Sequence, residues 1–261
     1  GKLGIGFTDT NVKVGNTALD SLTTGSANTA VGNLALTANT GGSQNTAVGD
    51  QSLENNTTGN YNTAVGRYAL HENTTASSNT AMGQYALGAN TTGTKNTAVG
   101  AEALDANTTA DRNTAIGYQS LSANTTGERN TAIGTYSLIS NTTGVDNVAF
   151  GDAALYNNST ASYNTAVGRS AMSQNTTGAS NTALGYNALN SNTTASDNTA
   201  IGKEALNVNT TGGSNTAVGN ECLESNTTGA RNTAVGALAA DASATANDVT
   251  AIGYLALSAN T

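Results

Sequence analysis

The sequence has no tryptophan and only two phenylalanines, and alanine supplies much of its 37% hydrophobic fraction. A chain of 261 residues this poor in large apolar groups cannot wrap a thick globular core. Charge is also scarce, at 10% Asp, Glu, Lys and Arg. Glycine, asparagine and threonine recur in strict order, which excludes a disordered polyelectrolyte and points to an internal repeat. A single cysteine, Cys222, excludes an intrachain disulfide. No run of about 18 apolar residues is present, so no membrane insertion is expected. The formal charge of −8 makes phosphate backbones and anionic lipids poor partners, so nucleic acid is not expected either. The chain starts at Gly1 with no signal peptide, as expected of a mature product or an excised piece of something longer.

What is present is a repeat of 17 residues, with coil starts at 11, 28, 45, 62, 79, 96, 113, 130, 147, 164, 181, 198, 215, 232 and 249. Its consensus is N-T-A-V-G-x-x-A-L-x-x-N-T-T-G-x-x, first clear at Asn28-Thr29-Ala30-Val31-Gly32. Fifteen copies without insertion or deletion mean that each copy closes one identical turn of backbone. Helical repeats are longer, and frequent Gly, Thr and Val disfavour helix. The expected fold is all-β: a parallel β-solenoid of 15 coils over residues 11–261, preceded by a cap or lead-in strand over residues 1–10. At strand spacing, 15 coils would stack to roughly 70 Å. In residues 1–10, Leu3, Ile5 and Phe7 alternate as a lid over the first coil would.

Chemistry assigns the repeat positions. All sixteen acidic residues from Asp20 to Asp248, and all nine tyrosines, fall in the three variable x-x pairs. Charge is costly to bury without a partner, so these pairs are outer corners. Two apolar columns run through the copies: position four (Val31, Val48, Val65, Met82) and position nine (Leu36, Leu53, Leu70). Burying one such side chain contributes about 1.5–3 kcal/mol. That barely offsets ordering the backbone at about 1–2 kcal/mol per residue, so a coil stands only in a stack. Ala30 and its equivalents face the opposite way from their Thr and Val neighbours, and their small size lets walls approach. Gly32 and its equivalents mark positive φ or a close backbone approach. Asn-Thr-Thr-Gly reads as turn chemistry, and stacked Asn28, Asn45 and Asn62 can form amide ladders.

The N-T-A-V-G-x-x-A-L pattern resembles the S-V-A-I-G-x-x-S repeats of trimeric autotransporter adhesin heads. The longer form through N-T-T-G is similar to repeats of phage tail fibres and bacterial surface proteins. The resemblance covers residues 11–261, and Gly1-Lys2-Leu3-Gly4-Ile5-Gly6 is similar to the segment that precedes such repeats. This chain departs in its longer repeat and in Thr for Val at position two. The resemblance implies a left-handed β-roll in which three chains pack side by side, carried outside the cell, on its surface or on a virion.

Side-chain direction gives the trimer separate support. Thr29 and Val31 point to one side of their strand, as do Thr46 and Val48. Val148 and Phe150 occupy the same two columns, and a thin one-chain roll would be strained by an internal Phe. Thr29, Val31, Thr46, Val48, Val148 and Phe150 are therefore the candidate subunit interface, with the Leu36 column filling each roll. Tyr68, Tyr85, Tyr118, Tyr136, Tyr186 and Tyr254, in the corner after the glycine, are candidate surface contacts for a host glycan or protein, since tyrosine offers flat area and a hydroxyl at low entropy cost. His71, the sole histidine, reads as a solvated corner residue, and Cys222 as a buried small thiol. Asp111-Arg112 and Glu128-Arg129 occupy equivalent corners and could pair diagonally. No nucleotide, metal or cofactor motif is present, and no catalytic residue or cofactor is expected. The function expected is a rigid fibre or adhesin segment. The alternatives are a subunit of a homopolymeric extracellular filament and an ice-binding solenoid using columns such as Thr29, Thr46, Thr63 and Thr80. A carbohydrate-processing enzyme is disfavoured, since no wall position carries a carboxylate.

Overall fold

The computed structural model describes residues 5–8 and 10–258. The chain divides into two compact units, Gly1–Arg129 and Asn130–Thr261. In the first, strands β1 (Ile5–Thr8) and β2 (Asn11–Val14) are followed by three-residue strands β3 (Thr29–Val31), β4 (Thr46–Val48), β5 (Thr63–Val65), β6 (Thr80–Met82), β7 (Thr97–Val99) and β8 (Thr114–Ile116). β1 pairs antiparallel with β2, Ile5 opposite Val14. From β2 onward each strand pairs in parallel with the next, and Thr29, Thr46, Thr63 and Thr80 stand in register. The lid expected of Leu3, Ile5 and Phe7 falls partly outside the described residues: Leu3 is not among them, and Ile5 and Phe7 are described only as backbone in β1.

The second unit repeats the plan with β9 (Thr131–Ile133), β10 (Val148–Phe150), β11 (Thr165–Val167), β12 (Thr182–Leu184), β13 (Thr199–Ile201), β14 (Thr216–Val218), β15 (Thr233–Val235) and β16 (Thr250–Ile252). All are parallel and one repeat apart. Both units are parallel β-solenoids with one coil per 17-residue copy, and no helix occurs among the described residues.

The strands are short because the backbone leaves the β region soon after them. Gly32 has φ 143°, and a Cβ there would run into the carbonyl of Gly49 on the next coil. Left-handed residues then recur in each coil, at Leu34 (φ 57°), Leu36 (φ 54°) and Gln44 (φ 59°) in the second copy. Adjacent coils hold these turns through backbone bonds in both directions. Thr29 N and Leu36 N donate forward to Asn45 O (2.8 Å) and Ser52 O (3.0 Å). Gly32 N and Gln44 N donate backward to Val14 O (2.8 Å) and Ser26 O (2.9 Å).

The core is narrow and made of few residue types. Up to the last copy, alanines of positions three and eight and leucines of position nine are buried, and Met172 and Ala240 stand in for leucine and are buried too; in the last copy Ala256 is half-buried and Leu257 exposed. The alanine of each strand faces inward between an outward Thr and Val, as the alternation predicts. Every described acidic residue from Asp20 to Asp248 is exposed or half-buried, so the charged pairs do lie on the outer edges. Lys13 takes the place of the core alanine in the first coil, and its Nζ reaches Asp20 at 3.2 Å.

Two asparagine columns complete the interior, all fully buried in the middle coils. The amide ladder expected of Asn28, Asn45 and Asn62 forms mainly in the other column, at position twelve. There Asn56 Nδ2 donates to Asn39 Oδ1 (3.0 Å) and Asn73 Nδ2 to Asn56 Oδ1 (2.9 Å). The Asn28 column serves the backbone instead. Asn28 Nδ2 donates to Gly42 O (2.8 Å), and Asn28 Oδ1 accepts from Asn45 N (3.0 Å). A buried polar group left unpaired costs about 1–3 kcal/mol, which is why both columns are satisfied through the coil middle.

Candidate functional site

The apolar column of position four divides from that of position nine. No described member of the position-four column is buried, from Val31 to Ile252, whereas the position-nine leucines from Leu36 to Leu223 are wholly enclosed and only Leu257 of the last copy is exposed among the described residues. In the first unit Thr29, Val31, Thr46 and Val48 are half-buried, and Met82 and Ile116 are exposed. In the second unit Val148 is exposed and Phe150 is 52% exposed. The six candidate interface residues therefore share one kind of surface, an outward strand face of paired threonine and aliphatic side chains. Phe150 is accommodated because it points out of the roll.

The six candidate tyrosines do not form one site. Tyr68 and Tyr85 occupy position seven of consecutive coils and stack, with ring centroids 4.9 Å apart and planes at 14°. Arg67 lies over the Tyr68 ring at 4.5 Å. Tyr118 and Tyr186, at position six, are each 43% exposed, and Tyr254 is exposed as well. Tyr136 is half-buried and meets Tyr156 edge-on at 6.3 Å. Tyr61 and Tyr163, which end their coils, are more exposed than any of these except Tyr254 and escaped the sequence reading. Both lie in the last variable pair of their coils, a corner whose tyrosines carry no signal beyond exposure.

His71 is not simply a solvated corner. Its side chain is 23% exposed, with Nε2 3.1 Å from Glu54 Oε2 and Nδ1 2.8 Å from Glu72 Oε1. Tyr68 packs on it edge-on at 5.1 Å. The signal was available: Glu54 and His71 share position ten of consecutive coils, so their side chains must meet. Cys222 is buried; its Sγ lies 3.3 Å from Ala234 O, and burial pushes its thiol up to about 11. The diagonal corner pairs do not form as expected. Arg129 Nη1 bonds its neighbour Glu128 (2.7 Å), and Asp111 accepts from Thr94 N (2.6 Å) and Thr94 Oγ1 (3.0 Å).

The Thr94–Asp111 contact belongs to a wider device that sequence reasoning did not find. At position sixteen a short polar side chain caps the backbone N–H of the same position one coil earlier: Ser43 Oγ accepts from Ser26 N (3.1 Å) and Asn60 Oδ1 from Ser43 N (2.8 Å). Asn247 does the same for Ala230 (2.8 Å) in the second unit. Part of what looks like free surface is thus structural.

Among the described residues no group of three or more His, Cys, Asp or Glu side chains converges as a metal site. A hollow of about 690 Å³ lies against the first coil, lined by residues including Thr10, Lys13, Asp20 and Leu22. A smaller one of about 260 Å³ lies beside His71, Tyr85 and Asp105. No protein-family model, curated protein or solved structure matches this chain.

Proposed function

We propose that the chain is a structural segment of an extracellular fibre or adhesin, on a cell surface or a virion, and that it assembles as a homotrimer without enzymatic activity. The observation that carries this reading is the outward strand face. In each unit the position-four column is apolar throughout and half-buried or exposed, with Met82 44% exposed in the first unit and Phe150 52% and Leu184 46% in the second. Contiguous apolar surface of this kind marks an interaction face. Copies of this chain meeting there would cover those columns and leave the charged and tyrosine-bearing corners outside, free to contact a host glycan or protein.

Size-exclusion chromatography with light scattering tests it. A trimer is expected, and replacing Val31, Val48 and Phe150 together by Asp should release monomers that keep their β circular dichroism. A monomer at every concentration would sink the trimer. Uniform isolated particles in negative stain would weigh against the related reading of a homopolymeric filament.

A second reading has its own observation. In the first unit the threonines Thr29, Thr46, Thr63, Thr80, Thr97 and Thr114 stand in register at strand spacing on the open face. Such an array suits ice binding, and thermal hysteresis in the purified chain would favour that function over a fibre.

A further inference from the structure

On the wall formed by positions seven to eleven of the first unit, away from the strand face, one coil lacks a side chain. Position ten carries His71 in one coil, Gly88 in the next and Asp105 in the third. The gap at Gly88 is a notch of about 260 Å³, floored by Gly88 and Ala89 and walled by His71, Glu72, Tyr85 and Asp105. Its two ends are two coils apart, so it spans about 9–10 Å, twice the strand spacing.

The walls favour a cation. Arg67 caps the Tyr68 end of the two-ring stack. Tyr85, the other ring of the stack, is 39% exposed and lines the notch together with Asp105. The face of a tyrosine ring attracts cations within about 6 Å of its centroid. Beside it, Asp105 has no cationic partner among the described ion pairs. Burial pushes its carboxyl up to about 6 against backbone hydrogen bonds from Asp105 and Ala106, and Glu102 adds to the rise. Glu72 is engaged by His71 and by Asn55 Nδ2 (3.2 Å), and Glu102 by Gln119 Nε2 (2.6 Å). A metal ion is disfavoured because both His71 nitrogens already face carboxylates and no three donors converge. An anion is disfavoured by the carboxylates.

We propose that the Gly88 notch binds an alkylammonium group, which packs against the Tyr85 ring and pairs with Asp105. The titratable groups around Asp105 are Glu102 on its own coil and His71, Glu72 and Tyr85 across the notch; the following coil places the neutral Ser122 at the same position.

The test is an NMR titration of the full chain with ring-labelled tyrosine, using n-butylammonium, n-butanol and an acetyl-Gly-Lys-Gly-amide peptide as probes. Tyr85 should shift with n-butylammonium and not with n-butanol. A shift with the peptide as well assigns the site to lysine side chains of a partner, and a shift without it to free amines. Ammonium binding needs the Asp105 carboxylate. With that group at about 6, affinity should fall about tenfold from pH 8 to pH 5. Asp105→Asn should lose about tenfold at pH 8. Gly88→Thr should abolish binding by filling the notch; Thr37 occupies the equivalent position in another coil, and a Cβ at Gly88 comes no closer than 3.2 Å to a neighbour. Circular dichroism checks the fold of both variants. If Gly88→Thr does not fold, the pH series and Asp105→Asn decide. No Tyr85 shift with either ammonium probe, an equal shift with n-butanol, or wild-type affinity in Asp105→Asn would overturn the proposal.

Discussion

The two asparagine columns are built of the same residue, equally buried, yet they hold different things. At position one the side chain serves the backbone: Asn62 Oδ1 accepts from Asn79 N (3.0 Å), and Asn62 Nδ2 donates to Ala76 O (2.8 Å). At position twelve it serves mainly its own kind, Asn90 Nδ2 donating to Asn73 Oδ1 (3.1 Å). The terminal coils separate the two roles. In the first unit the position-one column reaches the first coil at Asn11, whereas position twelve there is Leu22. In the second unit Asn232 Oδ1 still accepts from Val249 N (2.9 Å). Position twelve has already changed to Ser243, leaving Asn226 Oδ1 and Ser243 Oγ without partners. An orphaned side-chain oxygen is thus present at Asn226, whereas the backbone N–H at position one keeps its asparagine acceptor as far as Val249.

That difference can be broken by substitution. Asn62→Ala should have the largest effect, since it strands the buried N–H of Asn79 and opens a void. A loss of about 2–4 kcal/mol in chemical denaturation is expected. Asn73→Ala should lose less, about 1–2 kcal/mol, because Asn90 keeps its bond to Gly93 O and the main orphan is one oxygen of Asn56. Equal losses would erase the distinction. The smallest effect is a gain. Ser243→Asn should extend the ladder onto Asn226 and stabilise the second unit by about 0.5–1.5 kcal/mol, read as a higher denaturation midpoint.

Much of the fold was legible because size and charge sort cleanly by position. Alanine and leucine columns, corner carboxylates and the crowded glycines follow from what can be buried and what cannot. The inside role of Asn39 and its equivalents was hidden by the turn-like Asn-Thr-Thr-Gly around them. The left-handed backbone at Leu36, Leu53 and Leu70 was hidden too, since a non-glycine residue at positive φ is uncommon. A signal existed: position nine holds Leu, Met or Ala and never Val or Ile, while position four favours Val and Ile. Branching at Cβ suits a strand and clashes in a left-handed turn. The candidate interface was legible as an outward column, because Thr29 and Val31 share a strand face. The Tyr68–Tyr85 stack and the His71 contacts required reading across coils at equal positions, where side chains far apart in sequence become neighbours.

The two-way hydrogen bonding between coils bears on how such a chain can change size. Each internal coil offers the same donors and acceptors upward and downward, as the second copy does through Thr29 N and Gly32 N. Removing or duplicating one block of 17 residues inside a unit therefore rejoins surfaces that already match. Length becomes adjustable in discrete steps by slippage or recombination in the gene, with no new contact to invent.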